Sequence, residues 1–470
     1  MKSKFTFLTI VLSFICLSAN AQVATWTGPA TGDWSTAANW STAAAPLATD
    51  SVSIPTGSEV TISSDAGTIN RLNVSGKLVI SGSGSLTVDQ SASPNGGGIV
   101  NLVGGEITNN GVLTIKNTVV TASNTVIQFS DNADRDNKFT NNGTFTMDNT
   151  IGAYASTTGR VIGLSMVSPG RTSTFKFGGT MNFIVKPVGC LIETNGGGNL
   201  TLDGTLVLGS STDYRNLRFI KIQAGGNVTV APTADITVYT GFVSGNGVIN
   251  MQSAITTAPG STFTNYGKIA IHGGPTTTGY GIYFNPQTNP GALNTFVNAG
   301  TISVDGTFPL GFMYIGGAAT GTTTITNQST GIFSLYNSDP SIQVIKTAGT
   351  TNTVTLNNEG TLKVSSATIT LASTVAVLNN TGTIIFDYVA GIKQLTDFNG
   401  KVYSNGNEIT VNLQANENAQ FILSDITGRT LKTANVQGEN NAFTMSNLKG
   451  IFIVRLLTAK GSYSQKISLN

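Results

Sequence analysis

The feature that most constrains this chain is a short unit that keeps returning. Phe139-Thr140-Asn141-Asn142-Gly143-Thr144-Phe145 comes back as Phe263-Thr264-Asn265-Tyr266-Gly267-Lys268-Ile269 and again as Phe296-Val297-Asn298-Ala299-Gly300-Thr301-Ile302. Leu356-Asn357-Asn358-Glu359-Gly360-Thr361-Leu362 and Leu378-Asn379-Asn380-Thr381-Gly382-Thr383-Ile384 continue the series. Each unit reads as a strand end, an Asn-containing turn whose Gly is free to take positive φ, and the start of another strand. A further strand precedes each unit, as at Ile282-Tyr283-Phe284, Phe312-Met313-Tyr314-Ile315, Ile342-Gln343-Val344-Ile345 and Ile369-Thr370-Leu371.

Three strands per repeat make one coil. The spacing is 29 residues from Asn298 to Asn327, 31 to Asn358 and 22 to Asn380, so the strands persist while the connections vary. Stacked coils tolerate this, because each strand bonds to its equivalent ~4.8 Å away along an axis while loops protrude. The expectation is an all-β chain built on a right-handed parallel β-helix of about ten coils, a rod of roughly 50 Å, with Asn298, Asn327, Asn358 and Asn380 stacked as a structural ladder of amides.

Composition fits this picture. Only 10% of the 470 residues are charged, 39% are hydrophobic and 55 are Gly, a balance of frequent turns and enough apolar side chains for a core. With 25 Lys+Arg against 23 Asp+Glu, the chain lacks the electrostatic footprint of a nucleic-acid binder, so no nucleic acid is expected as a partner.

At the N-terminus, Lys2 and Lys4 precede an apolar run from Phe5 to Leu17 and the small-residue pattern Ala19-Asn20-Ala21. Residues 1–21 therefore read as a signal peptide, too short in its apolar run to span a bilayer, and the mature chain is expected to be secreted or attached to the outer cell surface without a transmembrane segment. Removing Cys16 with the signal leaves Cys190 alone, so no intramolecular disulfide is expected.

Residues 22–57 carry all three tryptophans, in Trp26-Thr27-Gly28, Gly32-Asp33-Trp34 and Asn39-Trp40, followed by Pro46, Asp50-Ser51-Val52 and Ile54-Pro55. This segment resembles the one that opens the β-helical region of many bacterial cell-surface proteins. By that likeness residues 22–57 cap the helix of residues 58–390, and the alternative reading of Trp26, Trp34 and Trp40 is stacking on sugars. After Lys401 the repeat stops. Val402-Tyr403-Ser404-Asn405, Ile409-Thr410-Val411, Phe421-Ile422-Leu423-Ser424-Asp425, Gly428-Arg429, Leu448-Lys449-Gly450-Ile451-Phe452-Ile453-Val454 and Gln465-Lys466-Ile467 together resemble the C-terminal sorting domain of type IX secretion cargo. The resemblance implies that residues 400–470 form a small β-sandwich recognised by an outer-membrane translocon and usually removed afterwards. Ser404 and Gly406 stand where many members have Pro, and Phe452 where many have Tyr, which leaves release or attachment open.

Chemistry-bearing residues are sparse. The single His, His272, reads as a surface residue at a strand end, and the chain has no HExxH, no GxSxG and no paired Cys or His at metal spacing. Asp131, Asp134 and Asp136 form the one acidic cluster, which can be read as hard oxygen ligands for Ca²⁺ or as a solvated turn shared with Arg135; no other cofactor is expected. Arg215, Arg218 and Lys221 flank Tyr214 and Phe219 and offer a basic patch for an acidic glycan or a plain solvated strand face. Tyr280, Tyr283, Tyr314 and Tyr336 belong to neighbouring coils and are candidates for a lateral face that stacks on sugars. The functional expectation is an adhesin-like or structural rod making extracellular, carbohydrate contacts, with a polysaccharide lyase or glycoside hydrolase on the same scaffold as the alternative.

Overall fold

The computed structural model describes residues 22–469 apart from 91–98, 117–125, 131–134, 150–159, 166–170, 186–189, 196–197, 216–217, 224, 242–246, 253–259, 276, 286–292, 307, 309–312, 316–321, 337–344, 348–352, 365–375, 386–399, 414–417, 426–428 and 459–460. The expected signal peptide and the boundary near 390–400 lie outside the described residues.

The body is a parallel β-solenoid with three strands per coil. Among the described residues its first sheet stacks twelve strands, from Val23–Thr25 and Ser51–Ile54 through Cys190–Asn195 to Met313–Ile315 and Ile345–Thr347. The N-terminal segment is itself part of the solenoid: Val23–Thr25 pairs in parallel with Ser51–Ser53, and Thr31–Asp33 with Glu59–Thr61. The second sheet runs from Thr31–Asp33 to Ala376–Asn380. The third is divided into a five-stranded stack ending at Thr180–Val185 and a second stack that starts with residues 205–208 of strand Asn199–Leu208.

Alternation decides what is inside. Strands such as Ser51–Ile54, Lys77–Ile80 and Asp235–Thr240 bury every second side chain, as period-two patterning requires. In-register pairing then stacks like on like. Ile220, Ile249 and Ile282 line the first sheet, Phe263, Phe296 and Ile325 the second, and Ile236, Ile269 and Ile302 the third. All nine are fully buried, each contributing about 1.5–3 kcal/mol of apolar burial.

The turn glycines correct the expectation drawn from the repeat. Gly143, Gly267, Gly300, Gly360 and Gly382 do not adopt positive φ. They are glycines because coils pass too closely for a side chain: a Cβ on Gly300 would overlap the carbonyl oxygen of Gly267, and one on Gly143 that of Gly111. The preceding Asn carbonyl accepts from the next coil's turn amides, as Asn265 O does from the N–H groups of Ala299 and Gly300 at 2.8 and 3.0 Å.

The N-terminal coil is closed by the three tryptophans. Each is only 2% exposed, and the rings pack edge to face, Trp26 on Trp40 at 5.1 Å and Trp34 on Trp40 at 4.8 Å. Trp26 Nε1 donates to Pro29 O at 2.9 Å and Trp40 Nε1 to Trp34 O at 2.7 Å. Rings buried in this way have no face left for a sugar, so the stacking alternative does not hold for them.

The C-terminal unit is antiparallel. Lys401–Asn405, Glu408–Asn412 and Asn441–Thr444 form one sheet; Thr430–Gln437, Asn418–Asp425, Gly450–Thr458 and Gly461–Leu469 form the other. They enclose a core of their own, including Ile409, Val411, Phe421, Leu423, Val454 and Leu456. Here Gly406, Gly438 and Gly450 do adopt positive φ, the ordinary use of Gly in tight reversals.

Candidate functional site

The structure distributes the sequence candidates over separate places. Tyr283 and Tyr314 share a register position on the first sheet, and Tyr280, 7% exposed, lies under Tyr283 with ring centroids 5.6 Å apart. Tyr336 continues the third sheet instead, its N–H donating to Val304 O at 2.8 Å, so these tyrosines do not make one face. Nor do the basic residues make a patch. Arg215 is paired with Asp213 at 2.6 Å, Lys221 with Glu193 at 3.3 Å, and Arg218 is 8% exposed. Asp131 and Asp134 lie outside the described residues. Asp136 Oδ1 accepts from Thr172 N–H at 3.0 Å, and Arg135 Nη2 donates to Thr56 Oγ1 at 2.6 Å. Among the described residues no group of three His, Cys, Asp or Glu converges as a metal site.

The asparagines do line up. Asn265 Nδ2 donates to Asn298 Oδ1, Asn298 to Asn327 and Asn327 to Asn358, each at 2.8 Å, and Asn358 to Asn380 at 2.7 Å. Each amide also donates to a backbone carbonyl one coil on: Thr301 O, Ile332 O, Thr361 O and Thr383 O. The ladder starts at Asn265 because Val230 holds the position one coil earlier, and the Asn265 Oδ1 is accordingly buried without a partner.

The concentration of chemistry lies on the outside of the third sheet. Tyr239, His272 and Asp305 occupy one register position in three successive coils. Strand pleating turns all three outward, and parallel pairing sets them ~4.8 Å apart. The His272 ring stacks on Tyr239 at 4.6 Å with planes 26° apart, and His272 Nδ1 lies 2.6 Å from Asp305 Oδ1. Tyr214 meets Tyr239 edge to face at 6.0 Å. Its position comes from a short excursion in which Ser210 bridges Asp213 and the chain re-enters with Arg215 beside Thr240, Arg215 N–H donating to Tyr239 O at 2.9 Å. Gly274 makes room, since a Cβ there would press on the Tyr214 ring. The result is a row of half-buried rings along the rod, ending in a carboxylate. Such a row offers ring edges and polar tips to the hydroxyls of sugars, and His272 Nδ1 and Asp305 Oδ1 share a hydrogen bond.

In the sequence His272 reads as a lone surface residue because its partner, Asp305, stands a full coil away. The available signal was positional: His272 and Asp305 each stand seven residues after a ladder asparagine, Asn265 and Asn298. No family model matches the chain and no curated protein matches it.

Proposed function

We propose that this protein is a secreted, adhesin-like rod that makes non-catalytic contacts with extracellular carbohydrate through the outer edge of its third sheet. The observation that carries the reading is the row Tyr214, Tyr239 and His272, rings exposed in part, with Tyr239 and His272 held in register by strand pairing and Tyr214 packed on Tyr239, because pre-ordered rings bind without an ordering cost. The signal-like residues 1–21 and the likeness of residues 400–470 to type IX sorting domains support export through an outer-membrane translocon, after which the C-terminal unit is removed. The antiparallel two-sheet form of that unit is compatible with this role.

The test is a glycan array probed with the mature chain, followed by titration of the best glycan. The expected result is saturable binding, weakened about tenfold, or roughly 1.4 kcal/mol, by Tyr239→Ala. Absence of binding to every glycan overturns the reading.

One observation favours a second reading, a polysaccharide-cleaving enzyme: His272 and Asp305 are close enough to act as an oriented acid–base pair. Incubation with acidic and neutral polysaccharides, with and without Ca²⁺, separates the two. New reducing ends or unsaturated products that disappear in both His272→Ala and Asp305→Ala establish the enzyme.

A further inference from the structure

Among the described residues the third sheet is broken once. Its strands Thr180–Val185 and 205–208 belong to consecutive coils, and in the second sheet those coils remain fully paired, Thr172 to Phe177 against Asn199 to Gly204. The break has a local cause. The earlier coil turns its corner through Gly178-Gly179, whereas the later one has no turn there: strand Asn199–Leu208 runs through both sheets, kinked at Gly204 with φ +84°. A Cβ at Gly204 would overlap the carbonyl oxygen of Phe177, so the kink requires Gly. Past that corner the two third-sheet strands find no pairing with each other.

An open cleft of about 530 Å³ lies between them, within the roughly 300–1,000 Å³ typical of small-ligand sites. Met181, Phe183 and Leu208 supply apolar floor, and Val207, 54% exposed, an apolar wall. The excursion after Leu208 supplies the polar end: Ser210, with Asp213 and Arg215 paired at 2.6 Å. Through Arg215 N–H and the neighbouring Tyr214, this end connects to the aromatic row.

We infer that the cleft binds the terminal unit of a neutral oligosaccharide whose remaining units lie along the Tyr214–Tyr239–His272 row; the inference rests on the carbohydrate reading above. The charges in the cleft cancel, so nothing there favours an acidic or basic ligand. A carboxylate and a guanidinium side by side present acceptors and donors together, the pairing that adjacent sugar hydroxyls need, while the floor takes the C–H face of the ring. An extended peptide inserting as a strand would need both strand edges clear along their length, and the loop from Gly209 to Arg215 lines one end of the cleft.

The experiment titrates the mature chain with neutral gluco-, manno- and xylo-oligosaccharides, each also carrying a bulky label at one end or the other, and with the matching uronate oligosaccharides. The expected result is that one neutral series binds, that labelling one end but not the other weakens it at least tenfold, and that Val207→Lys does the same without lowering the thermal midpoint. The inference is overturned by tighter binding of the uronates, by binding lost in Tyr239→Ala yet indifferent to Val207→Lys and to either label, or by a cleft that takes an apolar extended peptide instead of a sugar. The second of these leaves the carbohydrate reading standing. Absence of binding by every neutral series removes the inference together with its ligand class, and uronate binding sensitive to Tyr239→Ala then separates it from failure of the carbohydrate reading.

Discussion

The coils from Asn265 to Asn380 and the coils around Gly178 to Asp213 use the same three-strand plan and arrive at different surfaces. In the first region an asparagine stands at one equivalent corner of every coil, its amide joined to the next, and the second and third sheets continue unbroken on both sides of the corner. In the second region the amide chain stops. Asn109 donates to Asn141 at 2.7 Å, Asn141 donates to backbone oxygens including Gly178 O, and the following coil carries Asp203-Gly204 with no turn. Phenylalanines stack in the interior of both regions, Phe139 on Phe175 at 4.7 Å here and Phe263 on Phe296 at 4.9 Å there, so the interior filling does not set them apart. A corner that repeats keeps the faces flat; a corner that is lost opens the third face while the first and second stay closed. The rod thus acquires a concave feature by omitting one turn.

The comparison breaks if the ladder is decoration. Asn327 accepts from Asn298 and donates to Asn358 and Thr361 O, and it is 1% exposed. Asn327→Ala leaves a buried donor and a buried acceptor unpaired, an expected cost of about 1–3 kcal/mol. Asn265 is the internal control, since its Oδ1 already lacks a partner and only donated bonds are lost. Chemical denaturation should show a smaller loss for Asn265→Ala than for Asn327→Ala. Equal midpoints for both variants and the parent chain would remove the ladder from the stability of the rod.

The ladder was legible in the sequence and the cleft was not, for a physical reason. Asn298, Asn358 and Asn380 each stand two residues before a Gly, and Asn327 four before Gly331, inside units recognisable by eye, so their equivalence could be read without coordinates. The cause of the glycines could not, because the carbonyl that a Cβ on Gly300 or Gly382 would strike belongs to another coil. Tyr239, His272 and Asp305 are different residue types whose only common property is register. Asp203-Gly204 looks like an ordinary turn, and nothing local reveals that one strand continues through it with a kink.

A second measurement sharpens where the break ends. Cys190 opens the first-sheet strand of the same coil whose third face is open, and it is 3% exposed, its Sγ–H donating to Ile192 O at 2.8 Å. Burial pushes the Cys190 thiol up to about 12, because the thiolate loses its hydration. For a folded-state pKa raised above the unfolded value, the stabilisation is complete below the ordinary thiol range and is lost as pH climbs through it toward about 12. At mildly alkaline pH the native chain should therefore resist alkylation that the denatured chain undergoes readily. Prompt labelling of native protein would mean that the opening of the third face reaches through the core to the first.

The smallest effect is expected on the outer stripe of the N-terminal coils, where charges rather than amides occupy equivalent positions. Glu59, Lys77, Glu106 and Lys138 follow one another in register, with Lys77–Glu59 at 3.2 Å and Lys138–Glu106 at 3.1 Å. The geometry is as regular as that of the asparagine ladder, and the surroundings are opposite: the Lys138 and Glu106 side chains are 52% and 33% exposed. Water already solvates both partners, so the pair gains little by meeting. Lys138→Ala should shift the denaturation midpoint by the equivalent of about 0–1 kcal/mol, and the shift should shrink as salt screens the pair. A loss matching that of Asn327→Ala and indifferent to salt would mean that register alone, independent of burial, sets the worth of a stacked polar column. The difference between the two columns assigns that worth to burial, since an unpaired amide inside the solenoid has no water to turn to and an unpaired ammonium on its surface does.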